Sequence, residues 1–323
     1  MSEARVLVGD AVAPADFFAR QTTNRRRTRA LFLAFVALAL GLGLALDAVW
    51  AGFLTPGGEP LPVITLIAGA AATTMSATAY FSGARLVLAS LHARPLNPDN
   101  EDERQLFNIV TEMALASGLP QPELFVIPDP APNALATGRD PQHAALAVTH
   151  GLLNLLDREE TQGVVAHEMG HILNRDTLTM TVVGVLFGGA LMLADWARRS
   201  LYLQSDRRRG NPLLFVLVLV LVALTPLLSR LLAMAVSRQR EYLADATAAQ
   251  LTRNPLGLAS ALEKIGAATS PLRAATRGTA HLFISNPWPR HIDARTGRLA
   301  DLLSTHPPLA QRIAILRAMA HAG

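Results

Sequence analysis

Four long apolar runs, 30–53, 61–81, 177–194 and 213–236, constrain this chain more than any other feature. The first, 24 residues with the single acid Asp47 near its end, makes a helix of about 36 Å, enough for a bilayer core of about 30 Å. A soluble globular chain carries about a quarter charged residues. Here 17% are charged and 50% hydrophobic, so the excess apolar surface is expected in lipid. The runs predict a multi-span membrane protein of the α+β class, and what lies outside the bilayer supports one modest domain. Disorder is excluded for most of the chain by the same apolar content and by a net charge of only +4. Twenty-nine residues precede the first run, and no small-residue cleavage site directly follows it, so it reads as an anchor and not a cleaved signal.

The first two runs, joined by a turn rich in Pro and Gly, predict a transmembrane hairpin. Arg5, Arg20, Arg25, Arg26, Arg27 and Arg29 precede it, the turn carries no Lys or Arg, and Arg85, Arg94 and Arg104 follow. The positive-inside rule places the tail and everything after residue 83 in the cytoplasm. Arg198, Arg199, Arg207, Arg208 and Arg209, between the third and fourth runs, also belong inside by that rule, which conflicts with an ordinary second hairpin. Arg230 interrupts the fourth run as well. The second pair either spans the bilayer or packs at its cytoplasmic face.

The basic balance does not point to nucleic acid. Lys264 is the only lysine, and the arginines cluster beside apolar runs without interleaved aromatics, the pattern of juxtamembrane anchoring. Zero cysteines exclude disulfides, thiolate metal sites and a cysteine nucleophile. Any metal must be held by nitrogen and oxygen.

Between 95 and 176 the texture is that of a globular domain. Asp99 or Asn100 caps a predicted helix over 101–116, with Leu106, Ile109, Val110, Met113 and Ala114 on one face and Gly118 as its stop. Three short strands are expected at 123–127, 133–136 and 144–149, forming a small antiparallel sheet. Asp157 then opens a helix, with Glu160 completing a capping box. Later helices are expected over 238–252, over 256–268 and after Pro307-Pro308.

The helix opened by Asp157 contains His167-Glu168-Met169-Gly170-His171, an HExxH pattern. Positions i and i+4 share a helix face, so both imidazoles can reach one metal ion while Glu168 projects towards the place where water would bind. Zinc lowers the pKa of its water to about 7, and a neighbouring glutamate can take the proton. A catalytic zinc needs a third protein ligand. Glu241 and Asp245, one helical turn apart, supply candidates: Glu241 as third ligand and Asp245 as acceptor for the outer N–H of a ligating imidazole. By spacing alone, a solvated helix face with Arg238 and Arg240 pairing those acids is an equal alternative.

Five blocks together carry a family resemblance: 132–138 (PNALATG), 147–153 (AVTHGLL), the AHEMGHILNRD helix, EYLAD at 241–245, and Ser304 to Pro308 followed by Arg312. In these the chain resembles the HtpX-type membrane zinc endopeptidases, relatives of the CAAX prenyl endoprotease, over nearly all of 30–323. The resemblance implies a mainly helical, gluzincin-like catalytic domain holding one Zn2+ on His167, His171 and Glu241. It implies an edge strand formed by Asn133, Ala134, Leu135 and Ala136 that pairs with substrate backbone, and His306 and Arg312 near the reacting groups. It further implies a bacterial inner-membrane enzyme that degrades misfolded or membrane proteins from the cytoplasmic side. Leu135 stands where the family usually has Phe, and the basic tail is longer than in compact members.

The expected organisation is a basic tail (1–29), a transmembrane hairpin (30–82), a first catalytic part (83–176), the second apolar pair (177–236) and a second catalytic part (237–323). A site-2-type intramembrane metalloprotease is the alternative enzyme class; there the third ligand is an Asp in a second intramembrane motif, whereas these acids lie in a charged segment. A membrane scaffold without turnover is the non-enzyme alternative, and the intact HExxH and EYLAD blocks speak against it.

Overall fold

The computed structural model describes residues 28–41, 62–186, 238–276, 278–288 and 307–321, with positions 22, 24, 26, 43, 44, 47 and 188. The tail before residue 22, the turn 55–60, the arginine-rich stretch 195–212, the fourth apolar run and His306 lie outside the described residues.

Helix α1 (Thr28–Gly41) comes from the first apolar run and α2 (Val63–Ser90) from the second. At 28 residues α2 is about 42 Å long, and among the described residues it is the one helix long and apolar enough to cross a membrane. Its N-cap, Pro62, offers no capping side chain. Asp47 caps it from outside: its carboxylate accepts hydrogen bonds from Ile64 N (3.0 Å), Thr65 N (2.8 Å) and Thr65 Oγ1 (2.7 Å). The lone acid of the first apolar run thus satisfies the orphan amides that open its neighbour.

The helix α2 does not stop where the apolar run ends at Phe81. It continues to Ser90, and Val87, Leu88 and Leu91 pack beneath the sheet with Ile127, Leu135 and Ala147. Strand β1 (Arg94–Pro95) follows, then α3 (Glu101–Ser117), whose cap is Asn100 accepting from Glu103 N at 3.1 Å and whose stop is Gly118 at φ 66°. Strands β2 (Glu123–Ile127), β3 (Ala134–Gly138) and β4 (Ala144–Thr149) complete a sheet of order β1-β2-β4-β3.

The sheet is mixed, not antiparallel as the sequence suggested: β2 runs parallel to β4, while β1–β2 and β3–β4 are antiparallel. The loop after β2 reverses the chain but carries it one strand position too far, so the short β3–β4 connection folds β4 back into the gap. Asp129 holds that loop. Its carboxylate accepts from Ala131 N at 2.9 Å and from Arg273 N and Ala274 N at 2.8 and 3.1 Å.

Helices α4 (His150–Leu155), α5 (Arg158–Leu173) and α6 (Thr177–Leu186) follow, the last being the first half of the third apolar run. Phe35 of α1, Ala72 and Ala79 of α2, and Val182 and Leu186 of α6 form one apolar cluster. A hydrogen bond between Thr28 Oγ1 and Thr179 Oγ1 (2.7 Å) pins α1 to α6 at its base. Beyond the undescribed stretch come α7 (Arg238–Thr252), α8 (Pro255–Ala267) and α9 (Leu309–Ala320).

Helix α5 is the hub of the main core, with α3, α7, α8 and β3 packed around it. Its capping box forms as expected, Asp157 accepting from Glu160 N at 3.0 Å and Glu160 accepting from Asp157 N at 2.9 Å. Glu160 also accepts from Ser260 Oγ and Lys264 Nζ of α8, both at 2.6 Å. Burial raises the Glu160 pKa, but Lys264 and the other donors outweigh it, so the carboxyl titrates below its usual range. Because the folded pKa is the lower one, the stabilisation is complete above the unfolded value of about 4.3 and fades as pH falls through the folded value. Glu160→Gln is therefore expected to flatten the acid limb of stability, read as thermal midpoint against pH. Gly163 lies against α8, where a Cβ would sit 2.7 Å from Leu258 N. Gly163→Ala is expected to cost roughly 1–3 kcal/mol by overpacking, measured by denaturant unfolding.

Candidate metal centre

Helix α5 presents His167 and His171 one turn apart on a fully buried face, and α7 packs across that face with Glu241 in its first turn. The two Nε2 atoms are 3.2 Å apart, and Glu241 lies 3.8 Å from His167 Nε2 and 3.7 Å from His171 Nε2. Donors about 2.0–2.1 Å from one ion stand about 3.3–3.4 Å apart in a tetrahedron. The three side chains are thus already gathered as ligands of one ion would be, and together they can hold a metal.

Each imidazole is oriented from behind. His167 Nδ1 is 2.9 Å from Asp245 Oδ1, and His171 Nδ1 is 3.2 Å from both oxygens of Asp176. A carboxylate on Nδ1–H leaves the Nε2 lone pair facing the centre. Asp245, one turn after Glu241 on the same helix, is 1% exposed, so the reading of EYLAD as a solvated helix face falls. Arg312 of α9 clamps Asp245 from the far side, Nε to Oδ2 at 2.8 Å and Nη2 to Oδ1 at 2.7 Å. Its third nitrogen, Nη1, donates to Ile284 O at 2.9 Å and is 3.5 Å from Glu241 Oε2.

Asp176 was not anticipated. It lies beyond the end of α5, and it returns to His171 because Asn174 closes the helix and Arg175 adopts a left-handed conformation, φ 55°. The Asp176 amide then donates to His171 O at 3.3 Å. The signal available in the sequence was the Asn-Arg-Asp triplet just past the second histidine: a polar helix stop followed by an acid.

The electrostatics follow from burial and from these partners. Burial pushes the Glu168 carboxyl up, helped by the charge of Glu241, to about 7. Burial lowers the His171 pKa, but Asp176, Glu241 and Glu168 more than reverse this and raise it to about 9. His167 is shifted down, by burial first and then by Arg312 and His171. Asp245 is buried too, which raises its pKa, yet Arg312 and His167 hold it below the usual carboxylate range. Four buried acids thus surround two imidazoles and one guanidinium, a charge balance that favours a cation.

Glu168 is 1% exposed, and its Oε1 has no hydrogen-bond partner among the described residues. The backbone N–H of Ala136 in β3 faces this carboxylate and tempers the rise of its pKa. This brings the expected substrate strand to the centre, with one correction. Asn133, Ala134, Leu135 and Ala136 are all buried, and the outer edge of β3 is already partly paired. Leu135 bridges Phe283, Ile284 N donates to Ala134 O at 3.0 Å, and Asn133 Nδ2 donates to Ser285 O at 3.1 Å. The strand is the last in the sheet but not an open one, because residues 283–285 lie along it.

A helix-borne HExxH beside a third buried carboxylate, on this fold, defines the class: a metal-dependent peptidase. The sequence profile of peptidase family M48 matches residues 100–320. A Protease HtpX homolog of Thermoanaerobacter pseudethanolicus is 47% identical over 248 residues, covering 75% of this chain and 80% of the relative. Another, of Tropheryma whipplei strain Twist, is 41% identical over 297 residues, 92% and 96% of the two chains. The crystal structure of S. mikatae Ste24p aligns with a TM-score of 0.49 at 20% identity, over 93% of this chain and 67% of that one. The chain belongs to peptidase family M48 and is a membrane-associated metalloprotease.

Asp176→Ala leaves every candidate ligand in place but frees the His171 ring. It is expected to weaken metal retention about 10–100-fold, measured by competition against a chelator.

Proposed function

We propose that this chain is a zinc endopeptidase of the bacterial cytoplasmic membrane that cleaves misfolded or membrane proteins on the cytoplasmic side. The observation that carries the catalytic part is the convergence of His167 Nε2, His171 Nε2 and Glu241 within 3.2–3.8 Å, each imidazole held from behind by its own carboxylate. In this reading the three residues hold the ion. Nitrogen and carboxylate donors with no cysteine suit zinc, which when bound supplies Lewis-acid polarisation of the scissile carbonyl and of water.

The remaining chemistry falls to the side chains. Glu168, near-neutral in its affinity for a proton, takes one from the attacking water and returns it to the departing amine. Asp245 and Asp176 keep the His167 and His171 rings turned to the ion. Arg312 acts as a positioning residue: all three of its nitrogens are engaged with Asp245, Ile284 and Glu241, and it secures the acid that orients His167. Ala136 is where substrate main chain would meet the centre, and strand addition further back, along Asn133 to Leu135, requires Phe283 and Ile284 to move away. The role of His306 stays an expectation from the resemblance.

The membrane side of the reading rests on the arginine asymmetry around the first hairpin and on the length of α2. It keeps the five-part division at 29, 82, 176 and 236, with the second apolar pair at or in the bilayer and the catalytic parts in the cytoplasm.

Glu168→Gln is expected to keep its metal and lose at least about 100-fold in cleavage of an unfolded protein such as casein. Glu241→Ala is expected to lower metal content, read by elemental analysis of purified protein. Parent-like turnover by Glu168→Gln, or parent-like metal content in Glu241→Ala, would remove the assigned roles.

A further inference from the structure

A cavity of about 760 Å3 lies between α1 and α2 where they meet the catalytic domain, and none of the candidate metal ligands lines it. Its volume is within the range of small-molecule sites, about 300–1,000 Å3. One part of its wall is apolar: Phe32 and Leu33 of α1, Tyr80 and Phe81 of α2, and Leu178 of α6. Leu33 and Phe81 are 71% and 67% exposed, so the apolar part opens outward at the depth of the membrane helices. The polar part is basic. Arg29, Arg139 and Arg175 line it, against the single carboxylate of Asp140. That carboxylate is shared between His143 Nδ1 at 2.7 Å and Arg139 Nε at 3.5 Å, and Arg139 also lies over the Phe81 ring, 5.7 Å from its centroid. Neither Arg29 nor Arg175 is in an ion pair among the described residues. Ser76, 9% exposed, also lines the cavity, one turn of α2 beyond Tyr80 on the side away from Arg139, and its hydroxyl has no hydrogen-bond partner among the described residues.

The basic and the apolar parts match the two ends of one kind of molecule. A net positive cluster suits a phosphate, and an outward-opening apolar groove beside it suits an acyl chain. Tyr80 and Phe81 stand at the level where aromatic side chains mark a lipid–water boundary. We propose that this groove binds one anionic glycerophospholipid, its phosphate on Arg29, Arg139 and Arg175 and an acyl chain along α1 and α2. The lipid would add to the hydrogen bonds from Asn24 and Thr28 that already tie the anchor to the catalytic domain: Arg29 belongs to the anchor, whereas Arg139 and Arg175 lie just after β3 and just after the HExxH helix.

The test uses the full-length protein in nanodiscs of equal parts phosphatidylglycerol and phosphatidylcholine, released into mild detergent and weighed by native mass spectrometry. One retained phosphatidylglycerol per chain is expected, in clear preference to phosphatidylcholine. Arg29→Gln, Arg139→Gln and Arg175→Gln should each weaken that retention about fivefold, the worth of a basic group near an anionic lipid surface. Ala77→Trp, which fills the groove from α2, should abolish retention of either lipid. Equal retention of the two lipids would overturn the proposal, as would arginine variants that hold phosphatidylglycerol like the parent. So would displacement of the lipid by glycerol phosphate alone, which lacks the acyl chains the groove is built for. The readout is lipid mass and not proteolysis, so failure of the catalytic assignments would leave this result standing.

Discussion

The centre depends on how closely α7 can lie on α5. His167 and His171 come from one helix, while Glu241 and Asp245 come from another that begins only after two intervening apolar runs. The two axes must approach closely enough for carboxylates to reach imidazole nitrogens. Gly170 allows this: a Cβ there would be 3.3 Å from Ala244 Cα and from Thr247 Cβ, and Ala244 and Ala248 continue the seam with small side chains. The motif residue between Met169 and His171 is therefore a spacing element as much as the histidines are donors.

Around that seam the charges are arranged in depth. The inner layer is His167, His171, Glu168 and Glu241; behind it lie Asp245 and Asp176; and behind Asp245 lies Arg312, fully buried. An arginine without solvent costs several kcal/mol unless its donors are matched, and here each nitrogen has a partner. Removing any acid of the middle layer leaves an uncompensated charge as well as a loose ring. With Glu241 as the proposed third ligand, it and its neighbour sit on one helical turn, so that a single element would deliver a donor and the group that orients another donor.

Much of this was legible in the sequence because it is local. Helix caps at Asn100 and Asp157, the stop at Gly118, the i, i+4 histidines and the Glu241–Asp245 turn all follow from side chains within a few positions of one another. What escaped depends on long-range geometry. Strand β1 contains Pro95 and forms only because β2 accepts it at the sheet edge, and the parallel β2–β4 pairing depends on how far a loop overshoots. Asp176 needed the left-handed turn at Arg175 to face His171. The pairing of Phe283 with Leu135 joins residues almost 150 positions apart, and no pattern near either one signals it.

The unbroken course of α2 has a mechanical meaning. The same helix that lies along α1 ends under the sheet, where Val87 and Leu88 share an apolar cluster with Leu135, and the N–H of the next residue of that strand, Ala136, faces the Glu168 carboxylate. On the function proposed above, this helix would act as a gauge block: it would set the height of the scissile position above the lipid, and a membrane-anchored chain would present for cutting only the segment that lies at that height.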